Sequence, residues 1–355
     1  MSLDLSRFAG RRVLVTGHTG FKGAWLSRVL VKAGAEVTGF SLPVGEENAL
    51  FTWLGLSAEM RSLHGDIRDA AAVNEAMRAS GAEIVLHLAA QPLVLASYED
   101  PTYTFGVNVM GTANLLDAVR HSGGVTSVVN VTTDKVYENQ EWDWAYREVD
   151  RLGGHDPYSN SKACSELVTS SFAQSFLTAA GVAVSTARAG NVIGGGDVAE
   201  NRIVPDCVRA ASVGQEIGVR NPHSVRPYQH VLEPLGAYLG LALEQAENPG
   251  LAGSYNIGPA DADNVSTGEL VAIFCDAWAD GARWNAGEWN GPHEAGLLRL
   301  DSSKIASRLG WRPRWGVREA ITRVVEWEKA RAQGEDLVAV TDRQIAEYFG
   351  EAAAG

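Results

Sequence analysis

One stretch near the N-terminus decides the fold: Arg11-Arg12-Val13-Leu14-Val15-Thr16-Gly17-His18-Thr19-Gly20-Phe21-Lys22-Gly23. Its first half ends in a short apolar run that is typical of a buried strand. Its second half holds three regularly spaced glycines, and apolar residues then recur at helical spacing as far as Gly34. A strand, a glycine loop and a helix in this order predict a βα unit that binds a dinucleotide. A glycine-rich turn without a ligand is the alternative interpretation.

The three glycines have different expected tasks. Gly17 permits the tight turn, Gly20 lets the backbone approach a pyrophosphate, and Gly23 allows the helix to pack close to the strand. The helix N-terminus then presents its unpaired N–H groups and partial positive charge to the phosphates. We therefore expect the whole loop to bind the cofactor, together with the intervening residues Thr19, Phe21 and Lys22.

Further short apolar runs alternate with helical patterns along the first half of the chain; they lie at residues 36–40, 60–64, 83–88, 125–131 and 182–187. This alternation predicts an α/β fold with a Rossmann-type doubly wound parallel sheet. Its later loss indicates a smaller, mixed α/β C-terminal substrate lobe. The expected division is a dinucleotide-binding domain at 1–190 that receives strand and helix returns from later segments, a lobe mainly at 191–345, and a frayed tail at 346–355.

The residues at the ends of the second, third and fourth strands are expected to contact the cofactor. The second ends at Ser41 without an Asp, Glu or Arg, so this position does not choose between NAD and NADP. Asp66, after the third strand, could accept a hydrogen bond from an adenine amine. Small residues after the fourth strand would let a dinucleotide lie over the sheet edge. The cofactor-binding residues expected here are Asp66, Ile67, Leu88, Ala89, Ala90 and, within the helical pattern of residues 102–120, Asn108.

The fifth strand ends in Val131-Thr132-Thr133-Asp134-Lys135-Val136-Tyr137. In open α/β sheets, ligands bind outside the carboxyl ends of the strands. A hydroxyl, a carboxylate and an amine delivered together at such an end predict chemistry on a bound ligand. We therefore take Thr133, Asp134 and Lys135 as candidate catalytic residues. A polar strand exit without chemical function is the alternative.

Tyr158 and Lys162 are the second pair of candidate catalytic residues. Pro157 suits the first position of a helix that is predicted to run to about residue 176. Tyr158 and Lys162 are four residues apart on that helix and therefore share one face. An ammonium beside a phenol favours the phenolate. This proximity predicts a Tyr158 that acts as a base near neutral pH.

Composition excludes several classes of function. The chain has 355 residues and a formal net charge of -13, which argues against a nucleic-acid partner. Its 3 cysteines form no C-x-x-C pattern, so neither a disulfide framework nor a metal site is expected. No apolar run is long enough to span a bilayer, so no membrane partner is expected. We expect a protein of the cytoplasm.

Together, the glycine loop, Asp66, Ala89-Ala90, Asn108, Thr133 and the Tyr158/Lys162 pair resemble an extended short-chain dehydrogenase/reductase. Within that superfamily, residues 132–137 resemble the sugar-nucleotide 4,6-dehydratases. The branch that acts on CDP-D-glucose is similar in several further segments, which are residues 17–23, 89–94, 134–135, 188–197, 226–231 and 309–311. The resemblance covers about residues 10–327.

The resemblance implies a reaction without net redox change. Tyr158, supported by Lys162 and Thr133, takes the proton of the glucose 4-OH while C4 gives hydride to NAD. Asp134 protonates the departing 6-OH, and hydride then returns to C6, which yields CDP-4-keto-6-deoxyglucose and water. Related dehydratases for other nucleotides carry Glu, the expected C5 base, at the position of Lys135. An ammonium cannot accept a proton, so the resemblance leaves the task of Lys135 open.

The resemblance also implies the partners of the chain. The substrate is CDP-glucose, and its expected binding residues are Gln91, Asn191, Arg202, Arg220, Arg226 and His293. Subunits of this superfamily pair through the helices that carry Asn108 and Tyr158, which implies a homodimer or homotetramer. The same motifs imply a step in deoxysugar biosynthesis for lipopolysaccharide O-antigen. The alternatives are a sugar-nucleotide 4-epimerase, a 4,6-dehydratase for a dTDP or GDP sugar, and a non-catalytic NAD(P)-sensing protein.

Overall fold

A seven-stranded parallel sheet forms the centre of the computed structural model, which describes residues 3–45, 49–287 and 296–350. Its strands are β1 (Arg12–Thr16), β2 (Glu36–Ser41), β3 (Arg61–His64), β4 (Ile84–His87), β5 (Ser127–Val131), β6 (Ala183–Ala189) and β11 (Ser254–Ile257). Their spatial order is β11-β6-β5-β4-β1-β2-β3. The chain reverses direction across the sheet between β1 and β4, and a ligand crevice is expected at such a switch point. The predicted doubly wound parallel sheet is confirmed.

Helices cover both faces of this sheet. Before β6 they are α1 (Phe21–Lys32), α2 (Ala49–Trp53), α3 (Ala70–Ser80), α4 (Val94–Glu99), α5 (Pro101–Phe105), α6 (Gly111–Ser122) and α7 (Pro157–Phe172). After β6 they are α8 (Ile203–Ser212), α9 (Leu232–Glu247), α10 (Thr267–Trp278), α11 (Ser303–Leu309), α12 (Val317–Gln333) and α13 (Leu337–Phe349).

Side chains of the strands alternate between two apolar cores. Val13 and Val15 of β1 pack with α1, α9 and α13 on one face, whereas Leu14 packs with α3 and α6 on the other. Successive side chains of a strand point to opposite faces of a sheet. Burial on both faces therefore explains why these strands are apolar without interruption.

The second lobe has its own apolar core between α8, α10 and α12. Its strands form short pairs only; they are β7 (Asn191–Ile193) with β10 (Tyr228–His230), β8 (Ile217–Val219) with β13 (Trp284–Ala286), and β9 (Val225–Arg226) with β12 (Val265–Ser266). Ser266 and Glu269 form the capping box that the sequence indicates at the start of α10. Helix α9 and strand β11, which come late in the chain, return to the main sheet.

Three boundaries differ from the expectations. The predicted frayed tail at 346–355 is wrong in its first part, because α13 continues to Phe349 and buries Tyr348 and Phe349. The predicted helix at 102–120 is divided by a π-helical turn at Gly106–Met110. Strand β6 continues to Ala189, so Arg188 lies inside a buried strand rather than in a loop.

Two findings concern membranes and metals. None of the helices in the described parts of the chain is both long and apolar enough to cross a membrane. Among the same residues, no group of His, Cys, Asp and Glu side chains is arranged to hold a metal ion.

Candidate active site

The exit of β5 meets the first turns of α7. Asp156 caps α7 by accepting a hydrogen bond from the Ser159 N–H over 2.9 Å, and Pro157 begins the helix. This start places Tyr158 and Lys162 on the face that points to β5. The Lys162 amine donates to the Val131 carbonyl over 3.0 Å, and Tyr158 is hydrogen-bonded to the Thr133 hydroxyl. The structure therefore brings Thr133, Tyr158 and Lys162 together.

Burial dominates the protonation of this group. It raises the pKa of Tyr158 to about 12, although the hydrogen bond with Thr133 acts in the opposite direction. Burial, assisted by the charge of Lys22, lowers the pKa of Lys162 to about 7. Burial therefore opposes the expected phenolate, and its formation near neutral pH stays a prediction. Desolvation penalises both charged forms, and the Lys162 amine is bonded to a backbone carbonyl.

Asp134 lies directly beside Thr133 and is 1% exposed. The Thr133 hydroxyl donates to Asp134 Oδ1 over 2.8 Å, while Oδ2 has no hydrogen-bond partner among the described residues. Burial raises the pKa of this carboxyl, and the nearby Lys135 acts in the opposite direction. A carboxyl with a raised pKa and one free oxygen is suited to donate a proton.

A cleft of about 1320 Å³ opens above these residues. It is lined by Thr133, Lys135 and Tyr158 and by several expected ligand-binding residues, which are Phe21, Lys22, Asn191, Arg202, Arg220 and Arg226. The loops at 138–141 and 151–156 also line the cleft, and sequence reasoning missed them because they have no periodicity. His293 lies outside the described residues.

The three arginines enter the cleft from different elements. Arg202 precedes α8 and pairs with Asp197 at 3.1 Å. Arg220 follows β8 and pairs with Asp206 at 3.5 Å. Arg226 lies in β9, where its guanidinium donates to the Val225 carbonyl over 3.0 Å. Their common exposure to one cleft makes it suited to an anionic ligand.

The side-chain amides of Gln91 and Asn108 are hydrogen-bonded within the protein. Asn108 is 1% exposed; its amide accepts from the Gln91 N–H over 2.9 Å and donates to the Gln91 carbonyl and to Ser161 Oγ. The Gln91 side chain is bonded to the Leu93 backbone and to Thr104 Oγ1. Contact of Asn108 with the cofactor and of Gln91 with the substrate stays a prediction. Both amides use their hydrogen-bonding groups to shape the loop after β4.

The glycine loop has the geometry that a dinucleotide requires. Gly17 has a φ of 73°, and a Cβ there would lie 2.8 Å from the Ala89 N. A Cβ on Gly23 would lie 2.0 Å from the Gly17 carbonyl oxygen. Gly20 stands at the N-cap of α1 without a side chain that binds the first N–H groups. This cradle fits a pyrophosphate, which would accept hydrogen bonds from those groups.

The remaining expected cofactor residues surround this loop. Thr19 Oγ1 is 2.9 Å from Ser41 Oγ at the end of β2, and Asp66 pairs with Arg68 at 2.6 Å. Leu88, Ala89 and Ala90 follow β4, directly beside Gly17. The Ile67 side chain packs in the apolar core against Gly111.

The Lys22 side chain extends from the glycine loop to the cleft. Its amine faces the cleft, where burial and the charge of Arg202 lower its pKa to about 8 while Asp134 acts in the opposite direction. Lys22 therefore lies between the glycine loop and the residues at the end of β5.

The fold and the Thr133/Tyr158/Lys162 site define an extended short-chain dehydrogenase/reductase. The family model described as GDP-mannose 4,6 dehydratase matches residues 14–324. The chain belongs to this family of sugar-nucleotide 4,6-dehydratases.

Two curated relatives and two solved structures illustrate the similarity. The chain is 46% identical to a CDP-glucose 4,6-dehydratase of Salmonella typhimurium over 98% of both chains. It is 31% identical to a dTDP-glucose 4,6-dehydratase of Streptomyces antibioticus over 89% of this chain and 91% of that one.

Among solved structures, a dTDP-glucose 4,6-dehydratase of Streptomyces venezuelae with NAD and TYD bound has a TM-score of 0.77 and 27% identity, covering 92% of this chain and 100% of that one. A UDP-glucose 4-epimerase of Thermus thermophilus in complex with NAD has a TM-score of 0.77 and 27% identity, covering 90% and 99%. The shared fold thus extends to enzymes of two reaction types.

Proposed function

We propose that the chain is a CDP-glucose 4,6-dehydratase that works with tightly held NAD. The observation that carries the proposal is the 46% identity, over nearly the full length of both chains, to the Salmonella enzyme of that name. The site supports it, because a proton-holding carboxyl lies next to the Thr133/Tyr158 pair.

The glycine loop and the N-terminus of α1 would hold the pyrophosphate of NAD, and Ala89 and Ala90 would border it. NAD, when bound, supplies a hydride acceptor for C4 of the sugar and a donor for C6. The chain contributes orientation and proton transfer. Three arginines in the cleft, Arg202, Arg220 and Arg226, are suited to bind the pyrophosphate of the nucleotide sugar.

Tyr158 receives the proton of the sugar 4-OH in the oxidation step. To do so, the phenol must first have lost its own proton to solvent, a loss that burial opposes. The Thr133 hydroxyl and the positive charge of Arg202 both lower the pKa of Tyr158 and favour this loss. Lys162 holds Val131 and thereby keeps Thr133 next to the phenol.

Asp134 acts in the elimination step. The 4-keto group acidifies the C5 proton, which leaves to solvent in the cleft and is replaced from solvent when hydride reaches C6. The 6-OH must leave as water, which requires a proton donor. The buried carboxyl of Asp134 retains its proton above the usual range and can deliver it from its free oxygen, Oδ2. Lys135 lines the cleft on the same turn, and its cationic head is placed to stabilise the enolate that forms when C5 loses its proton.

A nucleotide-sugar panel tests this function. Purified protein supplied with NAD is incubated with CDP-glucose, dTDP-glucose, GDP-mannose and UDP-glucose, and the 4-keto product is followed by its alkaline absorbance. We expect product from CDP-glucose at a kcat/KM at least about tenfold above that for any other sugar. Product from the dTDP or GDP sugar alone would contradict the nucleotide assignment, and a C4 epimer in place of a keto product would favour the epimerase.

We further propose that the enzyme is a homodimer or homotetramer in the cytoplasm. Met110 at the start of α6 and Leu167 on α7 are 56% and 60% exposed. Exposed apolar side chains on two neighbouring helices are suited to pack against a second copy. Light scattering coupled to size-exclusion chromatography tests this assembly, and a monomer at micromolar concentration would contradict it.

A further inference from the structure

A buried ion pair joins α7 to β6 beneath the catalytic residues. The Arg188 guanidinium donates to both oxygens of Glu166, with Nε–Oε1 and Nη2–Oε2 distances of 2.9 Å. Both side chains are 3% exposed. A buried pair of this kind carries a large desolvation cost, which is offset only where further hydrogen bonds satisfy the remaining lone pairs.

Two threonine hydroxyls satisfy those lone pairs. Thr132 Oγ1 donates to Glu166 Oε1 over 2.5 Å, and Thr186 Oγ1 donates to Glu166 Oε2 over 2.6 Å. Thr132 belongs to the catalytic exit of β5, whereas Thr186 lies in the middle of β6. One of these two threonine donors therefore lies beside the candidate catalytic residues, and the other lies within the central sheet.

Helix α7 holds three consecutive residues at the exit of β5. Lys162 binds the Val131 carbonyl, Glu166 binds the Thr132 hydroxyl, and Tyr158 binds the Thr133 hydroxyl. The three helix residues are four apart and lie on one face. Each of the residues 131–133 is therefore held at a defined position along α7.

Arg188 contacts the chain beyond the catalytic turn, which is the 3-10 turn Asp134–Val136. Its Nη1 donates to the Tyr137 hydroxyl over 2.8 Å and to the Glu148 carbonyl over 3.2 Å. Tyr137 directly follows the 3-10 turn Asp134–Val136. The Glu166–Arg188 pair therefore reaches the chain both before the turn, at Thr132, and after it, at Tyr137.

We propose that Glu166 is a positioning residue that fixes the turn carrying Thr133, Asp134 and Lys135 against Tyr158, acting through Thr132 and Arg188. Its negative charge also faces Lys162 from the next helical turn and opposes the lowering of the Lys162 pKa by burial. The assay of this proposal rests on the proposed function.

The test compares the two threonine hydroxyl donors of Glu166 in the full-length enzyme with NAD; a third hydroxyl, Ser254 Oγ, lies farther away at 3.5 Å. Thr132→Val and Thr186→Val remove similar buried hydrogen bonds to one carboxylate, and only Thr132 belongs to the catalytic turn. We expect Thr132→Val to lower kcat by about 10- to 100-fold. We expect its KM for CDP-glucose to stay within about threefold of wild type, and Thr186→Val to keep kcat within about twofold. Thr132→Ser keeps the hydroxyl and is expected to restore kcat.

Three results would overturn the proposal: full kcat in Thr132→Val, equal losses in both valine variants, or a serine variant as impaired as the valine variant. Thermal unfolding of each variant shows whether lost activity comes from lost structure. If a valine variant does not fold, Thr132→Ala and Thr186→Ala provide the same comparison. A wild-type enzyme that does not convert CDP-glucose would instead contradict the proposed function, and the variants would then be compared with the nucleotide sugar that it does convert.

Discussion

Burial sets the protonation of the two residues that transfer protons. Tyr158 lines the cleft and Asp134 is buried directly beside Thr133, and desolvation raises the pKa of each. The raised pKa favours the protonated form of Asp134, which can give the leaving hydroxyl its proton. Tyr158 must be deprotonated against the same effect, and its partners Thr133 and Arg202 supply the opposing interactions.

Tyr158→Phe removes the hydroxyl that takes the substrate proton. We expect turnover of CDP-glucose to fall by about 10²- to 10⁴-fold, the usual range for the loss of a general acid–base group. Steady-state kinetics measures the effect. Tyr98→Phe is the matched control, because Tyr98 is 44% exposed on α4 and should keep wild-type turnover. Undiminished turnover in Tyr158→Phe would contradict the oxidation step described above.

Asp134→Asn keeps the shape of the side chain but removes the transferable proton. We expect kcat to fall by about 10²-fold or more, with little change in KM for CDP-glucose. The raised pKa of Asp134 contributes stability at low pH that is lost as the pH rises through that pKa, so the Asn variant should be at least as heat-stable as wild type above neutral pH. Asp117→Asn, on the exposed side of α6, serves as the control. A variant with normal kcat would rule out Asp134 as the acid.

At the scale of elements, the contact between β1 and α1 depends on the absence of side chains. A Cβ on Gly23 would lie 2.0 Å from the Gly17 carbonyl oxygen, and neither partner is a side chain that can turn away. The backbone of α1 would have to move, and with it the N–H groups that bind the pyrophosphate.

Gly23→Ala should therefore weaken NAD binding. Overpacking of this kind costs about 1–3 kcal/mol, which would correspond to about 5- to 150-fold in affinity. Titration calorimetry with NAD measures it. Gly124→Ala is the control, because a Cβ there would meet only the Ala82 carbonyl oxygen at 3.8 Å. Equal NAD affinity in the two variants would contradict the assigned position of the pyrophosphate.

The docking of α13 depends on a buried carboxyl in α9. Glu233 accepts hydrogen bonds from the Arg314 and Trp315 N–H groups and from the Tyr348 hydroxyl. Burial raises its pKa to about 7 from an ordinary value of 4.5. A raised carboxyl pKa contributes stability in full below the unfolded value, and this stability is lost as the pH rises through the folded value.

We therefore expect the thermal midpoint of the wild type to fall between pH values of about 5 and 8, as the unfolded chain and then Glu233 itself ionise. Glu233→Gln cannot ionise and should show a smaller fall over the same range, by differential scanning calorimetry. Parallel curves for the two proteins would show that Glu233 does not control the docking of α13.

At the scale of the whole molecule, local patterns predicted the fold and part of the site. The βα unit around Gly17 and the Tyr158/Lys162 spacing are encoded within a few residues, so the sequence alone sufficed for them. The spacing of Tyr158 and Lys162 did not indicate the raised pKa of Tyr158, because that pKa depends on burial by distant parts of the chain.

Contacts between residues that are far apart in the sequence account for the features that sequence patterns did not predict. Asn108 binds the Gln91 backbone, 17 residues away, and no periodicity indicates such a pairing. Residues 346–349 looked like a frayed tail, yet Tyr348 meets Glu233 at a separation of 115 residues. The Glu166–Arg188 pair also joins two separate elements, a helix and a strand. The helical pattern around Glu166 did not indicate that this polar side chain is buried.

Isotope transfer within one sugar tests the central claim most directly. CDP-glucose that carries deuterium at C4 is incubated with the enzyme and NAD, and the product is examined by NMR and mass spectrometry. The proposed dehydratase should deliver a CDP-4-keto-6-deoxy sugar with the deuterium at C6, because NAD bound in one site accepts it from C4 and returns it. A product that retains deuterium at C4, or that has lost it entirely to solvent or to free NAD, would contradict the account.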